Sequence, residues 1–148
     1  MGNIVFNISL GRVAYDATLP AASDALVVVP IETSGIEGDA TLRDYDDLSA
    51  LLAASNNEQT TMGRKTVTSV TVTVNDTNDR VECDFADQTW TGATGNAISA
   101  LLVCYDNDTG AGTDTNIRPL TKHDFAITPD GSDVTATVAD FFRATSAA

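Results

Sequence analysis

One histidine, two cysteines and 21 acidic residues are the groups in this 148-residue chain that could do chemistry. His123 stands with Asp124 just before an expected strand, and a catalytic Ser-His-Asp arrangement would need a nucleophile poised by that base. No Gly-x-Ser-x-Gly elbow supplies a nucleophile, so His123 is expected to be a surface or hydrogen-bonded side chain. Cys83 and Cys104 fall on the apolar phases Val81/Cys83/Phe85 and Leu102/Cys104. Neither opens a helix or neighbours obvious positive charge, the settings that activate a thiol. Buried thiols are the expectation, with a disulfide between neighbouring strands as the alternative. Two Cys and one His cannot complete a four-ligand zinc site.

Carboxylates are too abundant to single out a glycosidase pair, and most Asp residues lie in turn-forming stretches where they bond nearby amides. Asp106-Asn107-Asp108-Thr109-Gly110 resembles the start of a calcium loop. It departs from the EF-hand pattern, with Gly110 and Ala111 at the fifth and sixth places and no Glu at the twelfth. Asp76, Asn78 and Asp79 make a second, weaker oxygen cluster. Phosphate-binding glycine loops are missing. The expectation is a chain without catalytic, cofactor-binding or metal-binding residues and without a cofactor.

Charge narrows the partners. The formal net charge is −13, with only eight Lys or Arg. Those cations (Arg12, Arg43, Arg64, Lys65, Arg80, Arg118, Lys122, Arg143) are dispersed, and only Arg64 and Lys65 are adjacent. Such a chain is not expected to bind nucleic acid or an anionic membrane. Its apolar runs are far shorter than the ~20 residues of a spanning helix, and its first residues lack the pattern of a secretory signal. Acidity of this degree favours solubility at high local concentration.

The elements that must position these groups read mainly as strands. Ile4, Phe6, Ile8 and Leu10 share one face of an N-terminal strand or arm within residues 1–15, closed by Gly11, and Arg12–Tyr15 could continue it. Ala25–Ile31 is a continuous apolar run, as in a strand covered on both faces, and Pro30 marks an edge or terminus. A helix is expected over 44–55: Asp44 or Asp46 caps it, Asp47 suits its first turn, and Leu48, Leu51 and Leu52 form its apolar stripe. Val70/Val72/Val74 and Val81/Cys83/Phe85 alternate around an Asn/Asp-rich turn and make a hairpin, with a register break near Ser69. Trp90 is assigned to the core. Ile98–Tyr105 is the most apolar strand, residues 106–116 a loop, and Ile117–Leu120 a short strand. Phe125 and Ile127 face Val134, Val138 and Phe141 across a Pro-Asp-Gly turn. Residues 145–148 read as a frayed tail. About eight strands and one inserted helix give a single all-β domain over 1–148, an antiparallel β-sandwich or jelly-roll-like fold.

Several stretches, in this order, carry a resemblance. They are Thr41-Leu42, the Leu48–Ala54 segment, Gly63-Arg64-Lys65-Thr66, Val70-Thr71-Val72, Asn75 through Val81, Gln88-Thr89-Trp90, Ala100 through Asp106, Pro119-Leu120, and His123 through Asp133. Together they cover most of 41–135, and the chain resembles a diffuse group of small structural, decoration- or cement-like proteins of tailed bacteriophages. The resemblance implies a virion component with no enzymatic role, assembled in the host cytoplasm. The leading expectation is a decoration protein on the outer capsid surface, a homotrimer at local three-fold axes whose partner is the major capsid protein. Its contacts are sought in Ile4–Leu10 and the edges of the Ile98–Tyr105 sheet. The alternatives are a tail or neck subunit (tube, terminator or adaptor), separable by copy number, and a receptor- or carbohydrate-binding module, which would call for surface aromatics.

Overall fold

Two apolar runs far apart in the chain organise the architecture seen in the computed structural model, which describes residues 1–146. Ten strands form: β1 (Ile4–Val5), β2 (Ala25–Glu32), β3 (Lys65–Val67), β4 (Val70–Asn75), β5 (Arg80–Phe85), β6 (Gln88–Trp90), β7 (Ile98–Asp106), β8 (Ile117–Ile127), β9 (Val134–Ala136) and β10 (Phe142–Thr145). Three short helices accompany them: α1 (Val13–Asp16), α2 (Asp39–Leu42) and α3 (Leu48–Ala53). All pairings are antiparallel. They build a five-stranded sheet in the order β1-β8-β7-β2-β3, a three-stranded sheet β10-β5-β4 and a two-stranded sheet β6-β9.

The runs Ala25–Ile31 and Ile98–Tyr105 become β2 and β7, neighbours at the centre of the large sheet, and both faces of that sheet are covered. Leu26, Val28, Leu101, Val103 and Tyr105 pack against Cys83, Phe85, Trp90, Val134 and Phe141 from the two smaller sheets and the segment before β10. Val27, Val29, Ile31, Leu102 and Cys104 pack on the other side against Leu42, Leu48, Leu51 and Phe6. A strand buried on both faces must be apolar at every position rather than at alternate ones. The fold is mainly β and sandwich-like, with α2 and α3 over the outer face of the large sheet and α1 against the cluster between the sheets.

Several local expectations are corrected. The N-terminal strand spans only Ile4–Val5. A 3-10 turn at Asn7–Ser9 follows, because Ser9 turns inward and donates its hydroxyl to the Pro119 carbonyl (2.7 Å). Phe6 is buried whereas Ile8 and Leu10 are exposed, so the expected shared face does not exist. Residues 12–15 do not extend a strand; Val13–Asp16 is the helical turn α1. The helix is shorter than 44–55, and its cap is Asp47, which accepts the Ala50 amide (2.7 Å). Asn56 ends it by donating to the Leu51 carbonyl (3.1 Å).

The break near Ser69 is more than a bulge, since β3 and β4 belong to different sheets. Ile117–Leu120 is only the first third of β8, which crosses Pro119 with a register shift against β7. Phe125 and Ile127 do not form a hairpin with Val134, because β9 pairs β6 instead (Trp90↔Val134). Thr145 is not frayed: it pairs Arg80, and the Ser146 amide donates to the Asp79 carbonyl (2.8 Å). The last two residues of the expected tail lie outside the described ones. Pro30 sits in a central strand, beyond the reach of β3, which ends opposite Val28. Its carbonyl accepts the Gln59 amide from a loop, so its missing N–H deprives no ladder partner.

Candidate interaction surface

The eight cations are all engaged inside the molecule. Arg12 and Arg118 converge on the fully buried Asp16 (3.1 and 3.2 Å). Arg64 makes a double fork, to Glu58 (2.8 and 2.6 Å) and to Asp114 (2.6 and 3.0 Å). That fork holds the Asp114 carboxyl below the usual range and pushes the guanidinium further up. Arg80 pairs with Glu82 and Arg143 with Asp140. Arg43 donates to the Asp39 carbonyl (3.1 Å), and the Lys65 ammonium lies 5.6 Å from the centre of the Trp90 ring. The exposed turns, by contrast, carry Asp44, Asp46, Asp76, Asp79, Asp108 and Asp130.

Lys122 is the most unusual of the eight, with no exposed side-chain surface. Its ammonium donates to the Gly2 carbonyl, Asp39 Oδ1 and Asp124 Oδ1, each at 2.7 Å. Asp39 Oδ2 accepts the Gly2 amide (2.6 Å), and Asn3 Oδ1 accepts the Asp124 amide (2.9 Å). The Lys122 bond is the main reason that the Asp39 carboxyl lies below its ordinary value. The N-terminal arm, expected to be a contact element, is thus clasped onto β8.

His123 borders a cleft of ≈ 230 Å³ between β8 and the segment 136–141, floored by Val28, Leu101 and Phe85. It also borders an adjoining hollow of ≈ 280 Å³ beside β1 and β10, with Asp140 and Arg143. Burial, then the Lys122 charge, lowers its pKa, and its Nε2 bonds the Thr121 hydroxyl (2.9 Å). Neither cysteine lines the cleft or the hollow, so neither is set against this imidazole as a nucleophile. Cys83 and Cys104 are buried and free, in separate apolar clusters on opposite faces of the large sheet, so no disulfide joins them. Burial raises the Cys83 thiol to about 11 and Cys104 higher still. In the 106–111 loop, Asp106 accepts the Asp108 amide, and Asp108 those of Gly110 and Ala111. Among the described residues, no three of His, Cys, Asp or Glu are grouped so as to share a metal ion.

The edges of the Ile98–Tyr105 sheet, where contacts were sought, are the two-residue β1 and the three-residue β3, with β7 at the centre. The long open edge is β4, six residues paired with β5 on one side only. The orientation of its free groups follows from the far side of β5. There the Phe141 amide bonds the Cys83 carbonyl and the Ser146 amide bonds that of Asp79, so odd-numbered β5 residues face β10. Arg80, Glu82 and Asp84 therefore face Asn75, Thr73 and Thr71, and the N–H and C=O groups of Val70, Val72 and Val74 point outward. Val74 is 74% exposed. The alternation of this hairpin was readable in the sequence; which of its strands would be left without a neighbour was not. No protein-family model matches the chain, and no curated protein or solved structure matches it at a significant level.

Proposed function

We propose that this chain is a non-enzymatic structural subunit of a bacteriophage virion, a decoration protein seated on the outer surface of the major capsid lattice. One observation carries the reading: a chain of net charge −13 engages each of its eight cations internally and leaves its exposed turns acidic. Such a surface repels nucleic acid and other acidic particles, as suits a protein crowded on the outside of a shell. The resemblance over 41–135 points the same way. Attachment would stabilise the head by mass action, because each bound copy favours the assembled lattice.

The test is to add purified chain to capsids stripped of accessory proteins, then measure bound copies by densitometry and particle melting by light scattering. Binding near equimolar with the major capsid protein, with a raised melting temperature, is the expected result. Saturation at the copy number of a single ring would establish the neck reading instead. No binding to heads or tails would sink both.

A further inference from the structure

The geometry of β4 points to a second copy of this chain as its partner: we propose that two molecules pair β4 to β4 antiparallel about a two-fold axis, joining their three-stranded sheets into one of six strands. The proposal is independent of the virion reading and concerns the free protein.

Edge strands of natural proteins are shielded by Lys, Pro, bulges or short length. β4 has none of these, running Val-Thr-Val-Thr-Val-Asn in unbroken register with β5. It is self-complementary in one register, with Val72 opposite Val72 of the second copy. Val70 then meets Val74 and Val74 meets Val70, and these are the residues whose N–H and C=O groups point outward. All three pairs are of the hydrogen-bonded kind, each exchanging both N–H···O bonds. A shift by one residue would turn the valines of one copy to the other face.

Side chains agree with that register. Val70 and Val72 already pack against the core of their own sheet, so pairing extends an apolar row and covers the exposed Val74. Thr71 and Thr73 face each other on the wet side, a favourable cross-strand pair. Asn75 falls opposite Ser69 and Asp76 opposite Thr68, so the acidic turn meets hydroxyls rather than acids.

Charge selects the partner. A contact between two copies of net charge −13 must keep their carboxylates apart, and β4 contains no charged residue. Asp76 lies just past the end of the strand and meets Thr68, not an acid; the acids beside the strand, Glu82 and Asp84, lie on β5, where Glu82 is already bonded by Arg80 and Asn75. The β5 strands of the two copies would stand three ladder spacings apart, roughly 14 Å. That exceeds the screening length of about 8 Å at physiological salt. An isologous contact of this kind closes at two copies, in contrast to the trimer implied by the resemblance.

Sedimentation velocity of the purified chain at physiological salt should give a species of twice 15.5 kDa that dissociates on dilution. Val74→Lys places an ammonium in the seam without touching the folded interior, and should weaken the dimer by at least about tenfold. Its circular dichroism and melting should otherwise match a wild-type monomer. Thr71→Cys combined with Thr73→Cys, both at exposed positions, should trap the dimer as an intermolecular disulfide under mild oxidation. A wild-type chain that is monomeric at high concentration or trimeric would overturn the proposal. So would a dimer that survives Val74→Lys, or a double-cysteine variant that does not cross-link.

Discussion

Lys122 sits at zero exposure among two carboxylates and a backbone carbonyl, an arrangement that is tolerable only while every member is present. Removing one partner of a buried ion pair costs ~3–5 kcal/mol, because the remaining charges stay desolvated without compensation. Asp39 and Asp124 are partly exposed, so Lys122→Met should fall near the lower end, about 3 kcal/mol by urea midpoint. Amide exchange should rise over residues 2–6, which the clasp holds. His123 gives a pH signature. Its native pKa lies below the ordinary 6.5, so the unfolded chain binds the proton more readily. Stability from this group is complete above about pH 6.5 and is lost as pH falls from there through the lowered native value. His123→Gln should flatten that part of the stability–pH curve and leave the carboxylate-driven loss near pH 4 intact. Cys83 and Cys104 should resist a thiol reagent in the native state and react together on unfolding, since burial suppresses both thiolates.

At the level of elements, α3 depends on a single cap. Asp47→Ala removes the acceptor for the Ala50 amide and should cost about 1 kcal/mol in thermal or urea unfolding, whereas Asp46→Ala should cost nothing measurable. That contrast marks how far the sequence could be read. A Leu/Ala stripe announces a helix, but three candidate acids precede it, and which one caps is decided in three dimensions. Asp44 is taken by the Asn7 side chain, and the next residue, Tyr45, is drawn to Glu37. β2, β7 and the β4–β5 hairpin were legible because continuous or alternating apolar runs state their own burial. β8 was not, since Pro119 and the polar string Thr121-Lys122-His123-Asp124 conceal an eleven-residue strand whose Lys is buried by partners far away in sequence. The pairing of β9 with β6 was equally hidden, as a Pro-Asp-Gly turn invites a local hairpin. The candidate surface was legible only in part: the alternation of β4 was readable, but that it would lack a second neighbour was set by how the sheets assemble.

For the whole molecule the governing quantity is self-repulsion. With 13 uncompensated negative charges and six of its eight cations already paired with carboxylates, the native state should gain stability as salt screens the surface. The melting temperature should therefore rise between low and physiological ionic strength, and the β4 dimer should tighten over the same range. A fall in either would mean that the internal ion pairs, weakened by salt, outweigh the surface.

The clasp at Lys122 also orders events in time. Among the described residues β1 pairs with no strand but β8, and the arm's lysine anchor is about 120 residues downstream, so a growing chain can hold its first residues only through residues 39–44 until nearly all of the large sheet has been made. The two central strands can close without either terminus; the arm can seat on the sheet only once β8 is in place. Its docking reports that β8 has arrived in register, and an interrupted or misaligned chain would display a loose, acidic-neighboured leader that proteases can cut. The same bonds that hide one lysine thus let the finished molecule be told from an unfinished one.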